Sequence, residues 1–414
     1  MKSTLLFILL FYLVPIYSQT FNSTISEIVN QVSLDSLVKH VRILSGEDSV
    51  LIDGKKHLIT NRISNTKQPE TKGHYLASRY LLDYLNRYLS EVYEQDYLFR
   101  SDTIRNIIGV QEGITHPEKK VIISGHYDSI LWTYIDTLAP GADDNASGTA
   151  VVLESARLFS QIETDFTIYF ILWDWEEVGC TGSENFVFED VTKDDIIYMI
   201  NLDMIGYDVQ DSGYVDLYYG DDKNPLIFIV DSINTLYDIQ LRLLNYFING
   251  PGDVVPFIQA DICPTLMFLQ RYRYYIDDNP YYHTKNDKIE HFNLNYYHKV
   301  AKLGIATTLE IALNGIPSSI ENDNKILDYF KVTQNYPNPF NGSTTITYSV
   351  PKNGLVTFRV FDLKGNKLDE IILGVKTKGK NYIQYNADMM PSGLYLYQVE
   401  YDNYFVTNKM IIMK

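Results

Sequence analysis

The chain is poor in cysteine and in basic charge, and beyond its first residues it lacks long apolar runs. Only two cysteines, Cys180 and Cys263, occur in 414 residues, with no CxxC pair. A disulfide scaffold and a cysteine-built metal knuckle are both excluded, while the pairing of the two thiols stays open. Lysine and arginine number 35 against 52 aspartates and glutamates, a formal net charge of −17. That balance argues against nucleic acid or an anionic membrane as the main partner. After the N-terminus no stretch is apolar enough to span a bilayer, which takes about 20 residues. No repeat of 20–50 residues and no HExxH motif occurs, so the single-helix zinc plan is also out.

What is present is ample apolar material: 45% hydrophobic and 14% aromatic residues, enough for a large core. The length fits two or three domains. Lys2 followed by the apolar run Leu5–Pro15 and Ile16-Tyr17-Ser18 reads as a secretory signal peptide. Cleavage after Ser18 leaves Gln19 first, and the mature protein is expected to be soluble and exported. Whether Gln19–Gly46 is a propeptide or part of the fold is not decided by sequence.

Apolar spacing predicts one or two helices over Phe21–Gly46, a loop over Leu51–Lys72, and helices over His74–Ser90, Gly148–Ser160, Leu226–Tyr237 and Tyr296–Leu313. Strands are predicted at Glu91–Leu98, Ile104–Val110, Val121–Ser124, Phe166–Trp173, Ile196–Leu202 and Thr265–Leu269. Several of these are nearly continuous apolar runs, as strands buried on both faces are. The alternation implies an α/β three-layer domain with a mainly parallel central sheet flanked by helices. From about Asn314 the character changes. A polar connector leads to short alternating segments from Thr344 to Met413, separated by Asn353-Gly354, Lys364-Gly365-Asn366 and Pro391-Ser392-Gly393, which implies a small β-sandwich. The expected division is 1–18 signal peptide, 19–315 α/β domain, 316–329 linker and 330–414 sandwich.

Five polar clusters fall at predicted strand ends or in loops: His126/Asp128, Pro140–Gly148 with Asp143 and Asp144, Trp173–Glu177, Asn201-Leu202-Asp203, and Tyr282-His283-Thr284. Ligands of parallel sheets gather beyond the carboxyl ends of strands. Alternate residues of an extended segment face the same way, so Asp128 can hold the imidazole of His126. Two histidines, several carboxylates and no cysteine suit a borderline divalent ion, zinc first, with manganese or cobalt as alternatives. Each cluster also has a plain structural reading: Asp, Asn and Ser cap helices, and strand-end aspartates make turns. Burying so many charges at one sheet edge is costly unless they are paired or metal-bound.

Ser-Gly-His-Tyr-Asp-Ser, Gly-Ala-Asp-Asp-Asn-Ala-Ser-Gly, Glu-Glu-Val-Gly, Asn-Leu-Asp-Met and Tyr-His-Thr resemble the co-catalytic dizinc aminopeptidases, the bacterial leucyl aminopeptidase and aminopeptidase Y type, over roughly Val32 to Leu313. The resemblance implies that His126 and Asp203 bind one zinc, Glu177 and His283 the other, and Asp144 bridges both. It implies further that Asp128 orients His126, that Glu176 is the general base, and that the Asp144–Asn145 peptide is cis. The family's histidine before Pro-Phe is missing, since the stretch here reads Gly252-Asp253-Val254-Val255-Pro256-Phe257. That departure bears on substrate contacts rather than on metal. Tyr272, Tyr274, Tyr275, Tyr281 and Tyr282 are candidates for an aromatic pocket or for plain packing.

The C-terminal segment resembles the type IX secretion sorting domain, an immunoglobulin-like sandwich. Asn335-Tyr336-Pro337-Asn338-Pro339-Phe340-Asn341, Ser392-Gly393-Leu394-Tyr395 and the terminal Lys409–Lys414 carry that likeness. It implies secretion machinery as a partner and a secreted or cell-surface location, while the aminopeptidase resemblance implies peptide or protein N-termini as substrates of the first domain. The rivals are a glutaminyl-cyclase-like acyltransferase with one zinc, a carboxypeptidase or dipeptidase on the same site, and a non-catalytic binding ectodomain.

Overall fold

The apolar run at residues 121–124 becomes the middle of a sheet, and the polar clusters end up along one edge of it. The computed structural model describes residues 21–63, 72–99, 102–132, 138–190, 195–220, 226–247, 252–271, 279–315, 331–333, 335–350, 353–362, 367–401 and 404–414. The signal peptide, the 316–329 linker, and Tyr272, Tyr274 and Tyr275 lie outside the described residues.

The N-terminal amphipathic stretch breaks into α1 (Ser23–Gln31) and α2 (Leu34–Leu44), capped by the side chains of Asn22 and Ser33. Their apolar faces, including Ile25, Leu37 and Val41, join the main core. This segment is therefore part of the fold. The expected 51–72 loop holds a short hairpin, β1 (Val50–Ile52) with β2 (Lys55–His57). Its strands are three residues each, apolar Val-Leu-Ile against polar Lys-Lys-His, too short for an alternation to be read. Helix α3 (Lys72–Leu85) follows.

Next come β3 (Glu91–Phe99), β4 (Asp102–Gln111), β5 (His116–His126), α4 (Ser147–Phe159), β6 (Phe166–Trp173), α5 (Thr181–Asn185) and β7 (Ile196–Asp203). They are followed by β8 (Tyr214–Tyr219), α6 (Leu226–Leu236), β9 (Arg242–Phe247), α7 (Val254–Gln259), β10 (Thr265–Gln270) and α8 (Leu294–Asn314). The strands form one eight-stranded sheet in the order β3-β4-β6-β5-β7-β10-β8-β9. Its middle, β6-β5-β7-β10, is parallel throughout. The chain passes from β5 to β6 on one side, then crosses back over β5 to β7, which opens a crevice at their carboxyl ends. Sequence spacing did not reveal β8 and β9: Asp216 interrupts the apolar run of β8, and β9, at the sheet edge, is broken by Asn245.

Helix α4 is buried on nearly every side, between the sheet and α2, α3 and α8. Gly148 permits this approach, because a Cβ there would lie 2.1 Å from the Leu202 carbonyl oxygen. The first turn of α4 thus rests on the end of β7. Among the described residues no helix is long and apolar enough to cross a membrane.

The C-terminal strands are β11 (Lys331–Val332), β12 (Ser343–Val350), β13 (Gly354–Phe361), β14 (Lys367–Lys376), β15 (Gly379–Asn386), β16 (Gly393–Tyr401) and β17 (Tyr404–Ile412). They make antiparallel sheets of order β11-β12-β15 and β14-β13-β16-β17. Ile346, Tyr348, Val356, Phe358, Ile383, Tyr397 and Val399 fill the space between, the inward half of each alternating strand.

Candidate metal centre

His126 is the last residue of β5 and Asp203 the last of β7, while Glu176 and Glu177 follow the end of β6 by a few residues. Asp144 sits in the turn that enters α4, and His283 lies in the loop after β10. All five strand-end clusters expected from the sequence therefore meet at one edge of the sheet. The turn after β6 explains how two adjacent glutamates diverge. Trp175 takes a left-handed conformation with φ 56°, and Glu176–Val178 then form a short 3-10 turn.

Asp144 presents one carboxylate oxygen to each histidine. Its Oδ1 is 3.2 Å from His126 Nε2, and its Oδ2 is 3.0 Å from His283 Nε2. Asp203 Oδ1 lies 3.4 Å from His126 Nε2, and Glu177 Oε2 lies 2.9 Å from His283 Nε2. Two trios result, His126/Asp144/Asp203 and Asp144/Glu177/His283, each with ligand atoms within 4.8 Å of one another. The peptide after Asp144 is cis. Glu176 belongs to neither trio, and its Oε2 is 3.9 Å from His126 Nε2.

The donor set fits a divalent metal. His126 Nε2, Asp144 Oδ2, Glu177 Oε1, Asp203 Oδ1 and His283 Nε2 are all buried, and none makes a hydrogen bond. Polar atoms sealed from water and left without such partners cost several kcal/mol together, unless a cation lies between them. The charges tell the same story. Burial pushes Glu177 up to about 8 with the Asp144 charge adding to it, and burial also lifts Asp203 and Glu176. Burial opposes a charged His283, yet its contacts with Asp144 and Glu177 raise it to about 10. Burial likewise opposes ionised Asp144, and the two histidines outweigh it and hold its carboxyl low. A pocket this rich in carboxylate has room for positive charge.

Asp128 acts from behind. Its Oδ1 lies 3.2 Å from His126 Nδ1 and accepts the Glu176 N–H, while its Oδ2 accepts the Glu177 N–H at 3.3 Å. One buried carboxylate thus sets both the ring of His126 and the glutamate turn. Tyr282 stacks on His283 with ring centres 3.6 Å apart, and Tyr281 stacks on His291 at 3.7 Å. Where the family histidine is missing, Asp253 is fully buried and accepts from the Ser183 hydroxyl at 2.7 Å. Both cysteines are free.

Several residues around the centre carried no sequence signal. Arg62 is fully buried and donates to the carbonyls of Tyr127, Leu44, Pro140 and Gly141, fastening the β5 end to the Asp144 turn. His74 pairs with Asp174 at 2.8 Å and stacks on Tyr127. Trp132 packs against His283, and Asp287 accepts the N–H groups of Asp143 and Asp144. Asp287 follows His283 by four residues, a spacing that by itself marks no site.

An α/β sheet with a histidine–carboxylate centre at its carboxyl edge is the architecture of zinc exopeptidases. Comparison with known proteins gives the family: residues 106–308 match Peptidase family M28, and residues 334–413 match the Secretion system C-terminal sorting domain. The chain therefore carries a region similar to peptidase family M28, followed by one similar to that sorting domain. It is 31% identical over 219 residues to Aminopeptidase YwaD of Bacillus subtilis, covering 51% of this chain and 46% of that one. The chain thus spans less than half the length of that relative. Its fold is similar to the LapA aminopeptidase of Legionella pneumophila, with TM-score 0.56, 19% identity, and 71% and 78% of the two chains covered. It is also similar to glutaminyl cyclase of Porphyromonas gingivalis, with TM-score 0.50, 21% identity, and 67% and 98% covered.

Proposed function

We propose that this protein is an exported dizinc aminopeptidase that releases N-terminal residues from peptides. The observation that carries the reading is Asp144, whose two oxygens face one histidine each, with Glu176 left outside both trios. His126 and Asp203 would hold one zinc, Glu177 and His283 the other, and Asp144 both. Zinc bound there supplies the charge that lowers the pKa of water and polarises the scissile carbonyl. Glu176 takes the proton of the attacking water on its carboxylate and returns it to the departing amine nitrogen. Asp128 keeps His126 in one ring orientation and fixes the backbone of Glu176 and Glu177 as they act. Export follows from the sorting domain, with the secretion machinery as its partner and the N-terminal signal as its first step.

The test is to count metal and assay leucine-, alanine- and phenylalanine-p-nitroanilides in wild type and Glu176→Ala. About two zincs in both proteins, with hydrolysis lost by orders of magnitude in the variant only, is the expected result. One zinc with cyclisation of an N-terminal glutamine peptide would replace this reading by the acyltransferase, whose fold is shared. No metal and no turnover would leave a binding ectodomain.

A further inference from the structure

Two buried carboxylates next to the centre, Asp143 and Asp287, belong to neither metal trio. Asp143 precedes the bridging Asp144, yet its side chain is used elsewhere. Its Oδ1 accepts the N–H of Gly206 at 2.9 Å, and its Oδ2 accepts from Gln270 Nε2 at 2.7 Å and Asn279 Nδ2 at 2.8 Å. Gly206 lies three residues past Asp203, and Asn279 lies four residues before His283. One carboxylate thus ties the loop of the first trio to the loop of the second, directly beside the residue that both trios share.

Asp287 closes the same link from the other side. Its carboxylate accepts the N–H of Asp143 at 3.0 Å and of Asp144 at 3.1 Å, and its own carbonyl accepts the N–H of Ala142 at 3.1 Å. Asp287 donates its N–H to the Thr284 carbonyl at 3.2 Å, so the turn that starts beside His283 ends on the backbone of the bridging aspartate. Placing two more carboxylates beside Asp144 is electrostatically unfavourable, and a mere turn would be served by a neutral side chain. What the arrangement achieves is a fixed spacing between ligands delivered by three separate loops.

We propose that Asp143 and Asp287 are positioning residues that lock the His283 loop to the Asp144 turn, and so set the second metal position relative to the first. The inference rests on the dizinc reading above. Residues that hold ligands in place from behind change metal affinity by about 10–100-fold when lost. The zinc held by Glu177 and His283 depends on this tie, whereas His126 is held independently by Asp128.

The experiment uses the full mature chain and reads zinc by competition with a chromophoric chelator. Asp287→Asn and Asp143→Asn are compared with wild type and with Asp208→Asn, a buried aspartate whose carboxylate accepts from Ser212 and Gly213 of its own turn. The expected result is a count falling from two zincs to about one in both site variants, with weakening of at least tenfold, while Asp208→Asn keeps two. Asn279→Ala removes one of the three donors to Asp143 together with the acceptor of the Tyr281 N–H, and gives a smaller shift in the same direction if the stronger variants do not fold. Two zincs at wild-type affinity in the site variants would overturn the proposal. Equal zinc loss in Asp208→Asn would overturn it too, as mere destabilisation. Fewer than two zincs in wild type would instead sink the dizinc reading itself.

Discussion

The indole of Trp132 lies with its ring centre 4.7 Å from the imidazole of His283. Its N–H groups hold it there, the backbone one donating to the His283 carbonyl at 3.1 Å and Nε1 to the Tyr282 carbonyl at 3.2 Å. Trp132 is 67% exposed, whereas Trp173 and Trp175 are 0% and 1% exposed, and there are three tryptophans in all. Trp132 is therefore a reporter for the second metal position. Cobalt added to the zinc-free protein should quench the solvent-facing part of the fluorescence with saturable stoichiometry. Trp132→Phe should abolish that quenching without altering the metal count.

Cys180 offers a finer probe of the general base. Its thiol donates to Glu176 Oε1, with Sγ 3.6 Å away. Cys180→Ala should lower turnover several-fold with zinc content unchanged, and Cys180→Ser, which keeps an O–H donor, should recover part of the loss. Steady-state rates on leucine-p-nitroanilide, paired with metal analysis, check this. Equal rates in all three proteins would show that the thiol contributes nothing to Glu176.

Arg62 is expected to be the costliest position outside the ligands. Burial lowers its pKa to about 10, so at neutral pH it is a charged group inside the protein whose donors face backbone carbonyls. Arg62→Ala removes the guanidinium donors of the Tyr127, Leu44 and Pro140 carbonyls, while the Gly141 carbonyl keeps the Ala146 N–H, and a loss of about 3–5 kcal/mol follows. Arg62→Lys should rescue little, because one ammonium cannot reach the same fan of acceptors. Urea unfolding of the metal-loaded protein gives the number.

His40 sets part of the acid limit. It is buried with Nδ1 2.5 Å from the Tyr80 hydroxyl, and burial, followed by the charges of Lys39, Arg87 and Arg157, lowers its pKa to about 3. The unfolded chain takes that proton near pH 6.5 and the folded chain only near about 3, so the unfolded state binds more protons between them. This contribution is complete above about pH 6.5 and is lost as pH falls toward about 3, with a ceiling of about 5 kcal/mol. His40→Gln should flatten the stability slope between about pH 6 and 4 in denaturant titrations.

The sequence determined a good deal by itself. Continuous apolar runs such as residues 166–173 and 196–202 predicted buried central strands, and β6 and β7 occupy those positions. That His126, Asp144, Glu177, Asp203 and His283 gather at one sheet edge was legible because their short runs resemble those of a known family. The β-sandwich was legible from period-two alternation in segments such as Thr344–Val350. Tertiary structure decided the rest. Arg62, His74, Trp132 and Asp287 do their work through contacts with residues far away in the chain, and hydrophobic periodicity carries no trace of a buried polar partner. The hairpin at residues 50–57 and strands β8 and β9 were likewise unread. Strand identity is written locally, but the meeting of three loops at Asp143 exists only once the sheet has brought their ends together.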